Sequence, residues 1–141
     1  MDLPQLPTLT KGFCMDVPTW DELEANVEGS MQSGARFAKI PNLWTFTCDG
    51  QHIESVQRVL TLLDLKVAHV YLCDKSGNHG HGWHNDETDV WFWQCHGSTR
   101  WNFENNRHYI LEPGDLLYIP RLAYHEVISL SKRAGLSMSK I

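Results

Sequence analysis

His84-Asn85-Asp86-Glu87-Thr88-Asp89-Val90-Trp91-Phe92-Trp93-Gln94-Cys95-His96-Gly97-Ser98-Thr99-Arg100-Trp101 is the stretch that decides how this chain is read. Successive side chains of a strand point to opposite faces. Alternation from Val90 therefore puts Val90, Phe92 and Gln94 on one side, with Trp91 and Trp93 on the other. His84 and Asp86, two residues apart, share a face and converge on one point. Gly97-Ser98 reads as a turn, after which Thr99-Arg100-Trp101 opens the next strand.

The same period of two extends in both directions from this stretch. It predicts strands over Lys66–Cys73, Trp83–Asp86, Asp89–His96, Thr99–Glu104, His108–Leu111, Leu116–Ile119, His125–Ser131 and Leu136–Lys140. Asn105-Asn106 and Pro113-Gly114-Asp115 supply turn chemistry between them. Upstream, residues 1–10 read as an extended arm and Phe13–Val17 as a short strand. Thr19-Trp20-Asp21-Glu22 matches a capping box, predicting a helix to about Met31. Ala35–Ile40 and Leu43–Cys48 read as strands. A second helix follows Asp49-Gly50, with Ile53, Val56, Leu60 and Leu63 at helical spacing. The expectation is one mainly β domain over 1–141, an antiparallel barrel or sandwich. Residues 66–141 form its core, and residues 1–64 decorate it with two N-terminal helices.

A formal net charge of −5 over 141 residues argues against a nucleic-acid role, which needs clustered cations. The dense basic spot, Lys132-Arg133, reads as a turn between two strands. No apolar run approaches the roughly 20 residues that cross a bilayer, and Met1-Asp2-Leu3-Pro4 lacks the start of a secretory signal. No membrane partner and a cytoplasmic location are expected. Cys14, Cys48, Cys73 and Cys95 lack paired spacing and read as free thiols. Outward Trp91 and Trp93 need cover, either from the N-terminal helices or from a second copy in a homodimer.

Five of the eight histidines fall within residues 69–96. His84 and Asp86 on one face, with His125 from a later strand as the candidate third ligand, would make a facial array with open positions. That is the arrangement used for oxygen-activating Fe(II). Beside it, the Gly-rich loop 77–82 with His79 and His81 reads as a rim of the site or as a solvated loop. His69 reads as a hydrogen-bonded histidine, and Glu126 should face away from His125. Ser137 and Ser139 share a face that could meet a ligand carboxylate.

Glu112-Pro113-Gly114-Asp115-Leu116-Leu117-Tyr118-Ile119-Pro120 followed by His125 resembles the second motif of cupins. Residues 84–101, with Asp89-Val90, Gln94, Gly97 and Arg100-Trp101, are similar to JmjC-type 2-oxoglutarate oxygenases of the bacterial ribosomal-oxygenase branch. The resemblance covers residues 80–138. It implies a double-stranded β-helix (cupin or jelly-roll barrel), Fe(II) on His84, Asp86 and His125, and 2-oxoglutarate as cosubstrate with oxygen. It implies an enzyme hydroxylating a protein side chain, a peptide or a small molecule. The chain ends at Ile141 just after its last predicted strand, so the C-terminal domains of the larger ribosomal oxygenases are not expected in it.

One departure stands out. The family's basic residue for the far carboxylate of 2-oxoglutarate falls fifteen residues beyond the first metal histidine, where this chain has Thr99. Thr99 is thus a cosubstrate-binding position without a charge. Arg100 would reach the pocket only through a bulge near Gly97-Ser98; His81 and Lys140 are the other candidates. The departure leaves two alternatives: a metal-dependent cupin dioxygenase, lyase or isomerase that does not use 2-oxoglutarate, or a non-catalytic cupin binding module.

Overall fold

A computed structural model describes residues 6–33, 37–40, 45–73 and 82–141. The capping box at the first helix forms as its sequence dictates. The Glu22 amide donates to Thr19 Oγ1 at 3.1 Å and the Thr19 amide donates to Glu22 Oε1 at 3.0 Å. These bonds satisfy amides that the first turn leaves without helical partners. Helix α1 (Trp20–Ser33) follows, then strands β2 (Phe37–Ile40) and β3 (Thr45–Asp49) and helix α2 (Glu54–Leu63). α2 ends on Asp64 in the left-handed conformation, whose amide closes on Leu60 O and Thr61 O. Of its predicted stripe, Ile53, Val56 and Leu60 are buried and Leu63 packs partly against the same core.

The remaining strands are β4 (Val67–Cys73), β5 (Val90–His96), β6 (Thr99–Phe103), β7 (His108–Leu111), β8 (Leu116–Ile119), β9 (His125–Ser129) and β10 (Arg133–Ser139). An additional strand, β1 (Thr8–Thr10), pairs antiparallel with β8. The large sheet runs β1-β8-β5-β10-β4-β3-β2 and the small one β7-β6-β9. Facing antiparallel sheets with strands alternating between them make a mainly β structure with two N-terminal helices, as the alternation predicts, in the form of the double-stranded β-helix that the resemblance implies.

The alternation of β5 holds in three dimensions. Trp93 and Cys95 join Leu23 and Val27 of α1 and Val56, Val59 and Leu60 of α2 in the core between the helices and the large sheet. Val90 and Phe92 join Trp101, Phe103, Leu111, Leu117 and Ile119 between the two sheets. Trp93 is fully buried and donates its indole N–H to Cys14 O at 3.0 Å, so its cover comes from the chain's own N-terminal part. Trp91 is half-buried against Tyr118.

Three sequence expectations change. Phe13–Val17 is irregular, its Cys14 amide spent on Gly114 O, and the N-terminal strand lies earlier, at β1. Trp83–Asp86 is no full strand but a single antiparallel bridge, His84 to His125. The last strand starts three residues before Leu136, so Lys132-Arg133 is not simply a turn: Arg133 opens β10 and is 3% exposed. The other two strands expected before residue 65 form as β2 and β3 and join the large sheet. No helix among the described residues is long and apolar enough to cross a membrane.

Candidate metal centre

His84 and His125 are brought together by backbone before their side chains are considered. The His84 amide donates to His125 O at 2.9 Å and the His125 amide to His84 O at 2.8 Å. One such reciprocal pair aligns the two residues directly opposite each other, and their rings lie 4.5 Å apart between centroids. Asp86, two residues on, is held by its own carbonyl, which accepts from the Leu122 amide at 2.8 Å. One ligand atom from each of His84, Asp86 and His125 lies within 4.8 Å of the other two.

Each imidazole is oriented by the same local device. Nδ1 of His84 meets Gly82 O at 2.8 Å, and Nδ1 of His125 meets Ala123 O at 2.8 Å. With Nδ1 the donor in both, the proton sits on that side and Nε2 carries a lone pair, the state a metal needs. Nε2 of His125 faces Asp86 Oδ2 at 3.8 Å. Burial lowers the His125 pKa below the usual imidazole value; the Ala123 carbonyl opposes this, His84 adds to it and Asp86 opposes it. The donor set is therefore two imidazole nitrogens and one carboxylate, with His125 buried and Asp86 partly open to solvent. It fits a first-row divalent ion with coordination positions left for other ligands.

Aromatic rings form the inner wall. Trp101 stacks on His125 at 5.6 Å and Phe103 lies 5.4 Å from it, while Phe92 backs Trp101 at 4.8 Å. At the outer side Trp83 and Tyr124 stack at 5.6 Å, each immediately before a metal-facing histidine and each exposed. Asp89 ties the start of β5 to the end of β8: its Oδ1 accepts from Tyr118 Oη and from the Arg121 amide. Burial and that carboxylate push the Tyr118 pKa up to about 12.

The predicted cosubstrate residues separate. Thr99 is fully buried on the inner face of β6, where its hydroxyl donates to Gln94 Oε1 and accepts from the Trp101 indole, both at 3.0 Å. Gln94 is fixed in turn by His96 O and Gly97 O. Arg100 is exposed on the outer face, its Nε donating to Asn102 Oδ1. No bulge carries it inward; it lines an outer groove of about 460 Å³ with Trp83, Asn102 and Arg107. Lys140 is exposed beyond the last residue of β10. His79 and His81 lie outside the described residues. Glu126 accepts from Asn102 on the outer side, and Ser139 donates to Ile141 O. His69 approaches Asp49, with Nε2 and Oδ1 3.4 Å apart.

Arg133 is a residue that sequence reasoning misplaced. It is buried inside the barrel and donates from Nε to Ser129 Oγ at 3.1 Å. Burial pulls its pKa down from the guanidinium value, while Cys73 and Tyr71 act in the opposite sense. The signal available was parity. Lys132 and Arg133 are neighbours and so must face opposite ways once a strand begins there. Lys132 lies over the Trp20 ring at 4.1 Å, outside the barrel.

The fold and site define a class: a double-stranded β-helix that brings a His-Asp-His triad together. A JmjC domain model matches residues 102–140. No curated protein matches the chain. Among solved structures, the ribosomal oxygenase YcfD from Escherichia coli, in complex with cobalt and 2-oxoglutarate, superposes with a TM-score of 0.74 at 20% identity. That match covers 93% of this chain and 46% of the other, so the chain spans about half the length of that protein. KdgF from Halomonas sp. matches with a TM-score of 0.54 at 14% identity, over 75% of this chain and 87% of that one. A cupin superfamily protein from Desulfitobacterium hafniense matches with a TM-score of 0.54 at 13% identity, covering 74% and 84%. At these identities the likeness is one of fold.

Proposed function

We propose that this chain is the catalytic barrel of an Fe(II)- and 2-oxoglutarate-dependent oxygenase that hydroxylates a protein side chain or a small molecule. One observation carries the reading: His84, Asp86 and His125 converge with both imidazoles held in the metal-ready tautomer. A likeness to the E. coli ribosomal oxygenase, solved with cobalt and 2-oxoglutarate, supports it. His84, Asp86 and His125 would hold the iron. Bound Fe(II) would let dioxygen convert 2-oxoglutarate to succinate and carbon dioxide while one oxygen atom enters a substrate C–H bond.

The chain's own residues do the rest. The carbonyls of Gly82 and Ala123 hold the protons of both imidazoles at Nδ1, away from the metal side. Trp101, Phe103 and Phe92 exclude water from the inner wall, which strengthens electrostatic contacts there. Trp83 and Tyr124 offer a flat apolar rim beside the two histidines, suited to orienting a target group.

Thr99, uncharged and fully engaged with Gln94 and Trp101, favours a second reading: a metal-dependent cupin enzyme that does not take 2-oxoglutarate. Succinate formation separates the two. The oxygenase reading expects succinate to accumulate from 2-oxoglutarate only with Fe(II) and oxygen, and to vanish in His125→Ala. Metal held by the triad with no consumption of 2-oxoglutarate would favour the second.

A further inference from the structure

We propose that Arg133 anchors the far carboxylate of the cosubstrate, so that the cation absent from position 99 is delivered to the same pocket by a different strand. This rests on reading the centre as a 2-oxoglutarate site.

A guanidinium carries five N–H donors and a permanent charge. Arg133 is 3% exposed, yet among the described residues its hydrogen-bond partner is one hydroxyl, Ser129 Oγ. Among the described residues it makes no ion pair. Among the described residues, the acidic groups that act on it are the Cys73 thiol and the Tyr71 phenol. A buried charge without a counter-charge is costly. A carboxylate ligand, which pairs with a guanidinium through two parallel hydrogen bonds, would offset that cost.

Its position fits the missing cation. Ser129 pairs across the small sheet with Thr99, and both are fully buried on the inner face. The group that Arg133 touches is thus the direct neighbour of the position where the family carries its charge. His125 lies four residues before Ser129 on the same face of β9, roughly 13 Å along the strand by Cα. The His125 imidazole, from β9, and the Arg133 guanidinium, which reaches Ser129 from β10, are both buried; the assignment sets a short 2-oxo acid between them, its 2-oxo acid end toward the metal residues and its second carboxylate on Arg133.

The turn between β5 and β6 fixes the start of β10. Gly97 has φ +65°, and a Cβ there would sit 1.9 Å from Lys132 O. The Ser98 amide donates to Ser131 Oγ, and the Leu130 amide donates to Ser98 O. The residues just before Arg133 are therefore clamped against the turn that precedes Thr99.

The test compares binding of 2-oxoglutarate with 2-oxopentanoate, which keeps the metal-chelating 2-oxo acid and lacks the far carboxylate. Calorimetry on Mn(II)-loaded protein reads this without turnover. Wild type should prefer 2-oxoglutarate by on the order of 10- to 100-fold, the range of a charge-assisted contact. Arg133→Gln should remove the preference while leaving 2-oxopentanoate affinity unchanged. Thr99→Lys added to Arg133→Gln should restore part of it. Should Arg133→Gln fail to fold, the wild-type preference and Arg133→Lys, expected to be intermediate, still decide. Equal affinities in wild type, or a preference that survives in Arg133→Gln, would overturn the assignment of Arg133 while leaving the metal centre standing. Manganese bound with neither acid binding would instead remove the cosubstrate reading, and this inference with it.

Discussion

Two imidazoles held by the carbonyls two residues before them make a rigid pair of ligands, whereas Asp86 is the partly exposed member of the triad. His125→Ala and Asp86→Ala should therefore both weaken divalent-metal affinity by more than the roughly 10–100-fold typical of outer-shell changes. Calorimetric titration with Co(II) checks this; unchanged affinity in either variant would remove that residue from the centre. Asp115 is a second residue with a clear consequence. Burial alone would raise its pKa, but Lys11 and the amides of Glu112 and Gly12 outweigh this and hold it below the usual carboxylate value. A depressed folded-state pKa contributes stability that is present above the unfolded value and lost as pH falls through the folded one. The stability gap between wild type and Asp115→Asn should therefore be full at neutral pH, about 1–3 kcal/mol. It should narrow as the pH drops below about 4, as read from urea unfolding at several pH values. Much at this scale was legible in the sequence. His84 and Asp86 share a face by simple parity, and Thr99 was recognisable as an uncharged residue where the family resemblance expects a cation. Arg133 was not legible, because two adjacent basic residues do not reveal which one faces inward until the start of the strand is known.

At the scale of elements, the capping box was readable because its chemistry is local: four residues hold all the partners. Thr19→Ala should destabilise the protein by about 0.5–2 kcal/mol, measured by denaturant midpoint, with metal affinity unchanged. β1 was not readable, since three residues between Pro7 and Lys11-Gly12 carry too little pattern and the strand exists through its pairing with β8. The bridge at His84 was over-read as a strand for the converse reason: its alternation is real, but only one residue pair forms. Gly135 couples an element to the site. A Cβ there would lie 2.5 Å from the Phe92 ring and 2.9 Å from Trp93 O. Phe92 backs Trp101, which stacks on His125. Gly135→Ala should cost about 1–3 kcal/mol through overpacking, and it should weaken metal binding as well. Lost stability with wild-type metal affinity would show that the aromatic wall does not transmit the strain to His125.

Across the whole molecule, two sheets divide the work. The large sheet takes the helices on one face and closes the barrel with the other; the small sheet supplies His125 and Thr99. The mainly β class and the positions of most strands along the chain followed from alternation and turn residues. How far each strand runs depends on partners distant in sequence, which is why β10 begins earlier than its apolar pattern suggests. We propose that His84, Asp86 and His125 hold iron in a barrel that also takes 2-oxoglutarate. The most direct test is an anaerobic titration of Fe(II)-loaded protein with 2-oxoglutarate, followed by visible absorption. A new metal-to-ligand charge-transfer band, absent from His84→Ala, is expected. Iron bound by the triad with no band at any 2-oxoglutarate concentration would contradict the claim and leave a metal cupin of different chemistry.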